Sequence, residues 1–233
     1  MSQDHIVKQY DTDLENIRSR VLQMGGLVEQ QIVKAMEGLI GGDRQLIEQT
    51  IANDQQVNRL EVELDEACTQ IIARRQPTAV DLRMVMMVVK TITDLERIGD
   101  EAKKIAKVAK TIHDAGAALM PRIDLRHMAD DAVGMLRMAL DAYARIDLNA
   151  AAQVVRQDQE VDAEFKSIMR QLITFMMEDP RTISRSIDLM FIAKSIERIG
   201  DHSKNISEYV VYMAKGRDVR HIGLEGIERE VAG

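Results

Sequence analysis

Apolar residues recur along most of this chain at intervals of three and four, the spacing that lines one face of an α-helix. Val57, Leu60, Leu64, Cys68 and Ile71 make one such stripe, and Val161, Phe165, Ile168 and Leu172 make its counterpart. No alternating pattern long enough for a β-strand competes. Three prolines, Pro77, Pro121 and Pro180, break the pattern and mark connections, since proline ends or opens helices. Six main helices are predicted, at about 4–40, 43–75, 79–113, 122–146, 147–178 and 182–215. Gly41-Gly42 separates the first two, and Asp43 is placed to cap the second. The stretch 216–233 loses its apolar periodicity and is expected to be frayed or appended.

The pentapeptide Glu-Arg-Ile-Gly-Asp occurs twice, at Glu96–Asp100 and at Glu197–Asp201. Similarity extends over 96–106 against 197–207, and Pro77 and Pro180 fall at matching positions. This is an internal duplication. The fold class is therefore all-α, two tandem three-helix bundles: residues 1–117, residues 118–215 and a C-terminal tail, 216–233. Helices of about 30 residues run about 45 Å, so each bundle should be elongated.

Residues four apart share a helix face, about 6 Å from each other. Glu96 and Asp100 therefore point the same way, as do Glu197 and Asp201. The preceding helix of each unit carries a second pair, Asp54/Asn58 and Asp158/Asp162. A short turn at each proline makes the two helices antiparallel. Asp54 and Asn58 lie 23 and 19 residues before Pro77, and Asp100 and Glu96 lie 23 and 19 after it. In the second unit Asp158 and Asp162 lie 22 and 18 before Pro180, with Asp201 and Glu197 21 and 17 after it. The pairs thus meet side by side, as a four-ligand cluster in each half. Counted at about 100° per residue from the core stripes, the clusters should face the bundle surface. Converging oxygen ligands suit Mg²⁺, Mn²⁺ or iron, and Zn²⁺ also accepts carboxylates. The competing reading is a solvated acidic face, with Lys104 and Lys204 as partners.

Composition narrows the function. The chain has 233 residues, 31 Lys+Arg against 38 Asp+Glu, a net charge of −7 and no Trp. Nucleic-acid binding, which needs a basic footprint, is disfavoured. The single Cys68 forms no internal disulfide and suits a reducing compartment. The longest apolar run, Met84–Val89, is far short of a membrane span, and Ser2–Asp13 is polar, unlike a secretory leader. A soluble, cytoplasmic protein is expected. No P-loop, dinucleotide glycine pattern or Ser/His/Asp arrangement is visible. Asp124-x-x-His127 and Asp218-x-x-His221 read as solvated, His202 as an outer neighbour of Asp201, Cys68 as packing, and Arg97 and Arg198 as surface ion pairs.

With these residues in place the chain resembles the PhoU family of phosphate-signalling regulators over almost all its length. Met24-Gly-Gly-Leu-Val-Glu29 resembles that family's first helix. Asp81-Leu-Arg83 with Asp94-Leu-Glu-Arg-Ile-Gly-Asp100 resembles its third, and Ile196-Glu-Arg-Ile-Gly-Asp201 its sixth. The resemblance implies surface metal clusters held by E(D)xxxD motifs, which Glu96/Asp100, Asp158/Asp162 and Glu197/Asp201 fit; Asn58 departs from the motif and is expected to weaken the first site. It also implies a regulatory, non-catalytic role. Members help a phosphate ABC transporter inform a membrane sensor histidine kinase that phosphate is plentiful, keeping the response regulator off. The implied partners are that kinase, the transporter's ATPase subunit and a second copy in a homodimer. Two rival functions stay open from the residues alone: a metal-dependent phosphoester hydrolase and a metal-free helical adaptor.

Overall fold

The computed structural model describes residues 8–116 and 120–232. Among the described residues seven α-helices follow one another: α1 Lys8–Gly41, α2 Arg44–Arg75, α3 Ala79–Asp114, α4 Arg126–Arg145, α5 Leu148–Glu178, α6 Ile183–Lys215 and α7 Gly223–Ala232. A 3₁₀ turn, Pro180–Thr182, joins α5 to α6.

The connections have local causes. α1 stops where Gly42 takes a left-handed backbone, φ 67°, which glycine adopts without steric cost. Asp43 Oδ1 then accepts from the Leu46 amide at 3.0 Å, capping α2 as expected. Asp147 caps α5 in the same way, accepting from the amides of Asn149 and Ala150 at 2.9 and 3.1 Å. At the second proline turn Asp179 accepts from the Arg181 amide at 3.0 Å.

One expectation needs correction and one is narrowed. α4 opens at Arg126 rather than 122, because Asp124 Oδ1 accepts from the Arg126 amide at 2.9 Å and holds the chain in a turn before it. Of the two readings of the tail, frayed or appended, the structure has the second. Val219 and Ile227 are buried, and α7 lies against α5. Arg156 pairs with Glu228, and Arg217 Nη1 reaches Glu230 at 2.9 Å. The helix start expected at residue 4 and the boundary expected at 117–118 lie outside the described residues.

α1–α3 pack on one another and α4–α6 repeat the arrangement, with α2 and α5 turned away from the other unit. The two units share one continuous hydrophobic core. α3 runs antiparallel to α6 along an extended seam lined by charge: Glu101 accepts from Lys104 and Arg198 at 2.9 Å, and Asp94 from His202 at 2.6 Å and Asn205 at 3.1 Å. α1 meets α4 at Gly25, where a β-carbon would lie only 2.6 Å from Leu140 Cδ1. Glycine lets the backbones approach there, and Arg137 Nη2 pairs with Glu29 at 2.7 Å beside it.

Candidate functional site

The repeated pentapeptide divides its work between two directions. Ile98 and Ile199 point into the core and are fully buried. The glycines face the other two helices of their unit. A β-carbon on Gly99 would lie 3.3 Å from Gln31 Oε1 on α1 and 3.4 Å from Val57 Cγ1 on α2, and one on Gly200 would lie 3.5 Å from Met135 Sδ on α4 and 3.6 Å from Val161 Cγ1 on α5. Small residues here let α1 and α2 close on α3, and α4 and α5 close on α6. Each closure makes a groove with the carboxylates of Glu96 and Asp100, or Glu197 and Asp201, along one wall.

In the first groove Asp54 forms the floor. Its side chain is 2% exposed, against 30% for Asp100. Burial is thus deeper than the hairpin geometry suggested, because a third helix covers Asp54: Gln31 Nε2 on α1 donates to Asp54 Oδ1 at 3.4 Å. Lys103 Nζ lies 2.6 Å from Asp54 Oδ2 and 3.7 Å from Asp100 Oδ1, so one ammonium joins two of the expected ligands. Its hydrogen bond to Asp54 holds the Lys103 pKa above the usual lysine range. Burial, then repulsion from Asp100, pushes the Glu96 carboxyl upward. Glu61 responds likewise, through burial and then the charge of Glu96. Glu61 was not anticipated, although it lies seven residues after Asp54, two helical turns along the same face. Asn58 Oδ1 is buried with no hydrogen-bond partner among the described residues.

The second groove repeats the buried pair. Asp158 is 6% exposed, and Lys204 Nζ lies 2.6 Å from its Oδ2. Burial opposes the Lys204 charge, but the hydrogen bond to Asp158 and the surrounding carboxylates prevail and raise its pKa. Asp201 is pushed upward by burial, then by Glu197 and Asp158, which places these three together. Glu197 also pairs with Lys194. Like Asn58 in the first groove, Asp162 has no interaction with the other expected ligands among the described residues; its partner is Lys166, 3.7 Å away along α5. Lys103 and Lys204 occupy the same place in the two repeats, seven residues after the pentapeptide's glutamate. Both grooves therefore set a lysine ammonium on their most buried carboxylate.

The residues fit a metal in two respects: the donors are all oxygens, and Asn58 supplies a buried one that nothing else satisfies. A bound ion would have to displace the lysine ammonium from Asp54 or Asp158. The larger cavities lie elsewhere. One of about 420 Å³ is lined by Arg83, Lys90, Glu208, Tyr209, Tyr212 and Arg220.

Other candidates have structural partners. Arg97 Nε is 3.6 Å from Glu96 Oε2, and Lys104 serves Glu101 rather than Asp100. His202 turns to Asp94 across the seam. Cys68 is fully buried, and burial raises its thiol pKa to about 12, as packing rather than nucleophilic use requires. No helix among the described residues is long and apolar enough to cross a membrane.

The PhoU domain family matches the chain twice, over residues 21–109 and 125–210. A phosphate-specific transport system accessory protein PhoU homolog of Pseudomonas putida is 46% identical over 98% of this chain and 90% of its own length. The phosphate-specific transport system accessory protein PhoU of Escherichia coli K12 is 45% identical over 98% of this chain and 95% of its own. Among solved structures, PhoU from Pseudomonas aeruginosa superposes with a TM-score of 0.85 at 43% identity, over 89% of this chain and all of that one. PhoU from Streptococcus pneumoniae gives 0.83 at 26% identity, over 90% and 99%. A twice-matched domain, a repeated groove and relatives aligned from end to end agree: this chain belongs to the PhoU family.

Proposed function

We propose that this chain is a negative regulator of phosphate uptake and of phosphate-starvation signalling, working in the cytoplasm by binding rather than by catalysis. Its relatives, named as accessory proteins of the phosphate-specific transport system, carry that reading through their alignment over nearly the whole chain. The proposed partners are the ATPase subunit of the phosphate ABC transporter, the sensor histidine kinase of the same pathway, and a second copy of the chain. The two grooves are the proposed metal sites, with Asp54, Asn58, Glu61, Glu96 and Asp100 as donors in the first. Asp158, Asp162, Glu197 and Asp201 are the donors in the second. Iron, zinc, manganese or magnesium bound there would neutralise the converging carboxylates and tie α2 to α3 and α5 to α6.

The buried Lys103–Asp54 and Lys204–Asp158 pairs favour a second reading, a metal-free adaptor whose grooves are closed by its own lysines. One experiment separates the two. Glu96→Gln, Asp100→Asn, Glu197→Gln and Asp201→Asn are combined in a strain lacking its own copy, with a phosphate-starvation reporter. Metal content is measured on protein purified without chelator. The regulator with metal grooves loses bound metal and switches the reporter on in phosphate-rich medium. Survival of both metal content and repression would sink it. Wild-type protein free of metal, with repression still lost on substitution, selects the adaptor.

A further inference from the structure

Outside both grooves, His127 and Asp131 of α4 meet Glu164 of α5. His127 Nδ1 lies 2.9 Å from Glu164 Oε2 and 3.3 Å from Asp131 Oδ2. One donor atom from each residue lies within 4.8 Å of both others, an arrangement found once among the described residues. Two ligands about 2.1 Å from one cation are about 3.0 Å apart at a right angle and about 3.4 Å apart at the tetrahedral angle, close to the observed 2.9 and 3.3 Å.

The helix periodicity explains the convergence. His127 and Asp131 are four residues apart, one turn, so both side chains rise from the same face of α4, as paired ligands on metal-binding helices do. The short turn at Ile146–Asp147 folds α5 back antiparallel. Gln157, seven residues before Glu164, comes near Gly134 on α4, so that stripe of α5 faces α4. Asp158 faces α6 instead, through Lys204. The two clusters therefore occupy different grooves of α5.

This trio differs from the acidic grooves in chemistry. Among the described residues neither Asp131 nor Glu164 has a lysine or arginine within ion-pair distance; each has only His127. Their side chains are 26% and 25% exposed, so both are partly withdrawn from water, while His127 is 76% exposed and accessible to an incoming ion. An imidazole nitrogen with two carboxylate oxygens selects borderline first-row divalent ions over Mg²⁺ and Ca²⁺, which prefer oxygen alone.

We infer that His127, Asp131 and Glu164 form a separate binding site for a first-row divalent cation of the Zn²⁺, Mn²⁺ or Fe²⁺ class, clipping α4 to α5. Three protein ligands leave the remaining positions to water or to an exchangeable ligand. The inference is independent of the duplicated grooves, because it uses none of their residues.

The test uses Co²⁺, whose visible bands report ligation, and Zn²⁺, followed through the ¹⁵N signals of the histidine rings. Protein carrying Glu96→Gln, Asp100→Asn, Glu197→Gln and Asp201→Asn is titrated, so that the grooves do not contribute. The expected result is saturation at one equivalent of Co²⁺, with Zn²⁺ shifting the ring nitrogens of His127. Adding His127→Ala or Glu164→Gln should weaken binding by about tenfold or more, since even indirect supports of a metal ligand are worth about that much. Should the combined variant fail to fold, His127→Ala in the otherwise native chain lowers the bound stoichiometry by one. No Co²⁺ binding, binding indifferent to His127→Ala, or a His127 signal unmoved by Zn²⁺ would each overturn the inference and leave an ion pair only.

Discussion

At the scale of single residues, charge is distributed by burial. Asp54 and Asp158 sit under other helices and are each matched by one lysine, while Glu208 is nearly buried without so close a partner. Burial raises the Glu208 carboxyl to about 7, against the opposing pull of Lys204 and Arg220. The unfolded chain has an ordinary glutamate, so between about 4.5 and about 7 the folded state holds the proton more tightly. Its contribution to stability is therefore present below that window and falls as the pH rises through it. Glu208→Gln keeps the neutral form at every pH. It should raise Tm by about 2–6 °C at pH 8 and leave it nearly unchanged at pH 5, measured by thermal unfolding at both. An equal gain at both values would place the effect elsewhere than in the carboxyl charge. Whether Glu208 is buried was not legible in the sequence, since its surroundings come from α3 and from the chain beyond α6.

Elements were read well where their signals are local. The caps at Asp43 and the breaks at Pro77 and Pro180 need only neighbouring residues, and the level at which the carboxylates meet needs only a count across one turn. Lys103 was missed beside its neighbour Lys104 because they stand three and four residues after Asp100, on either side of its face, and only the Asp54 position on α2 decides between them. The depth of Asp54 was missed because Gln31 of α1, remote in sequence, provides the cover. α7 was missed for another reason: its stripe of Leu224, Ile227 and Val231 covers only two turns and is interrupted by Gly226. Burying Val219 and Ile227 removes from water the equivalent of about 1.5–3 kcal/mol per side chain. Ending the chain at Gly216 should therefore lower Tm by about 5 °C or more, with helicity of the remainder kept by circular dichroism. An unchanged Tm would mean that α7 adds nothing to the fold it covers.

Across the whole molecule the duplication was visible in the sequence, but the way its halves combine was not. No count across a turn relates α3 to α6, and their seam is the most extensive helix contact in the structure. A fragment of residues 1–117 would expose the apolar face of α3 together with Asp94 and Glu101, both buried in the full chain. Two such bundles are consequently expected to depend on each other. Expressed alone, this fragment should aggregate or unfold without a cooperative transition, and it should become soluble when co-expressed with residues 118–233. A monomeric fragment with a sharp melting curve would show that the halves fold independently.

The seam also has a direction. Every carboxylate named in it comes from α3, and its Arg, His and Asn partners come from α6. Glu101 and His202 occupy equivalent places in the two repeats, yet one is an acid and the other an imidazole. Exchanging the two repeated windows would set an imidazole beside Arg198 and a carboxylate beside Asp94. What began as two interchangeable copies has become a lock and a key cut from the same blank. Putting either window in the other's place would set like charges together, so this difference fixes which repeat comes first in the fold.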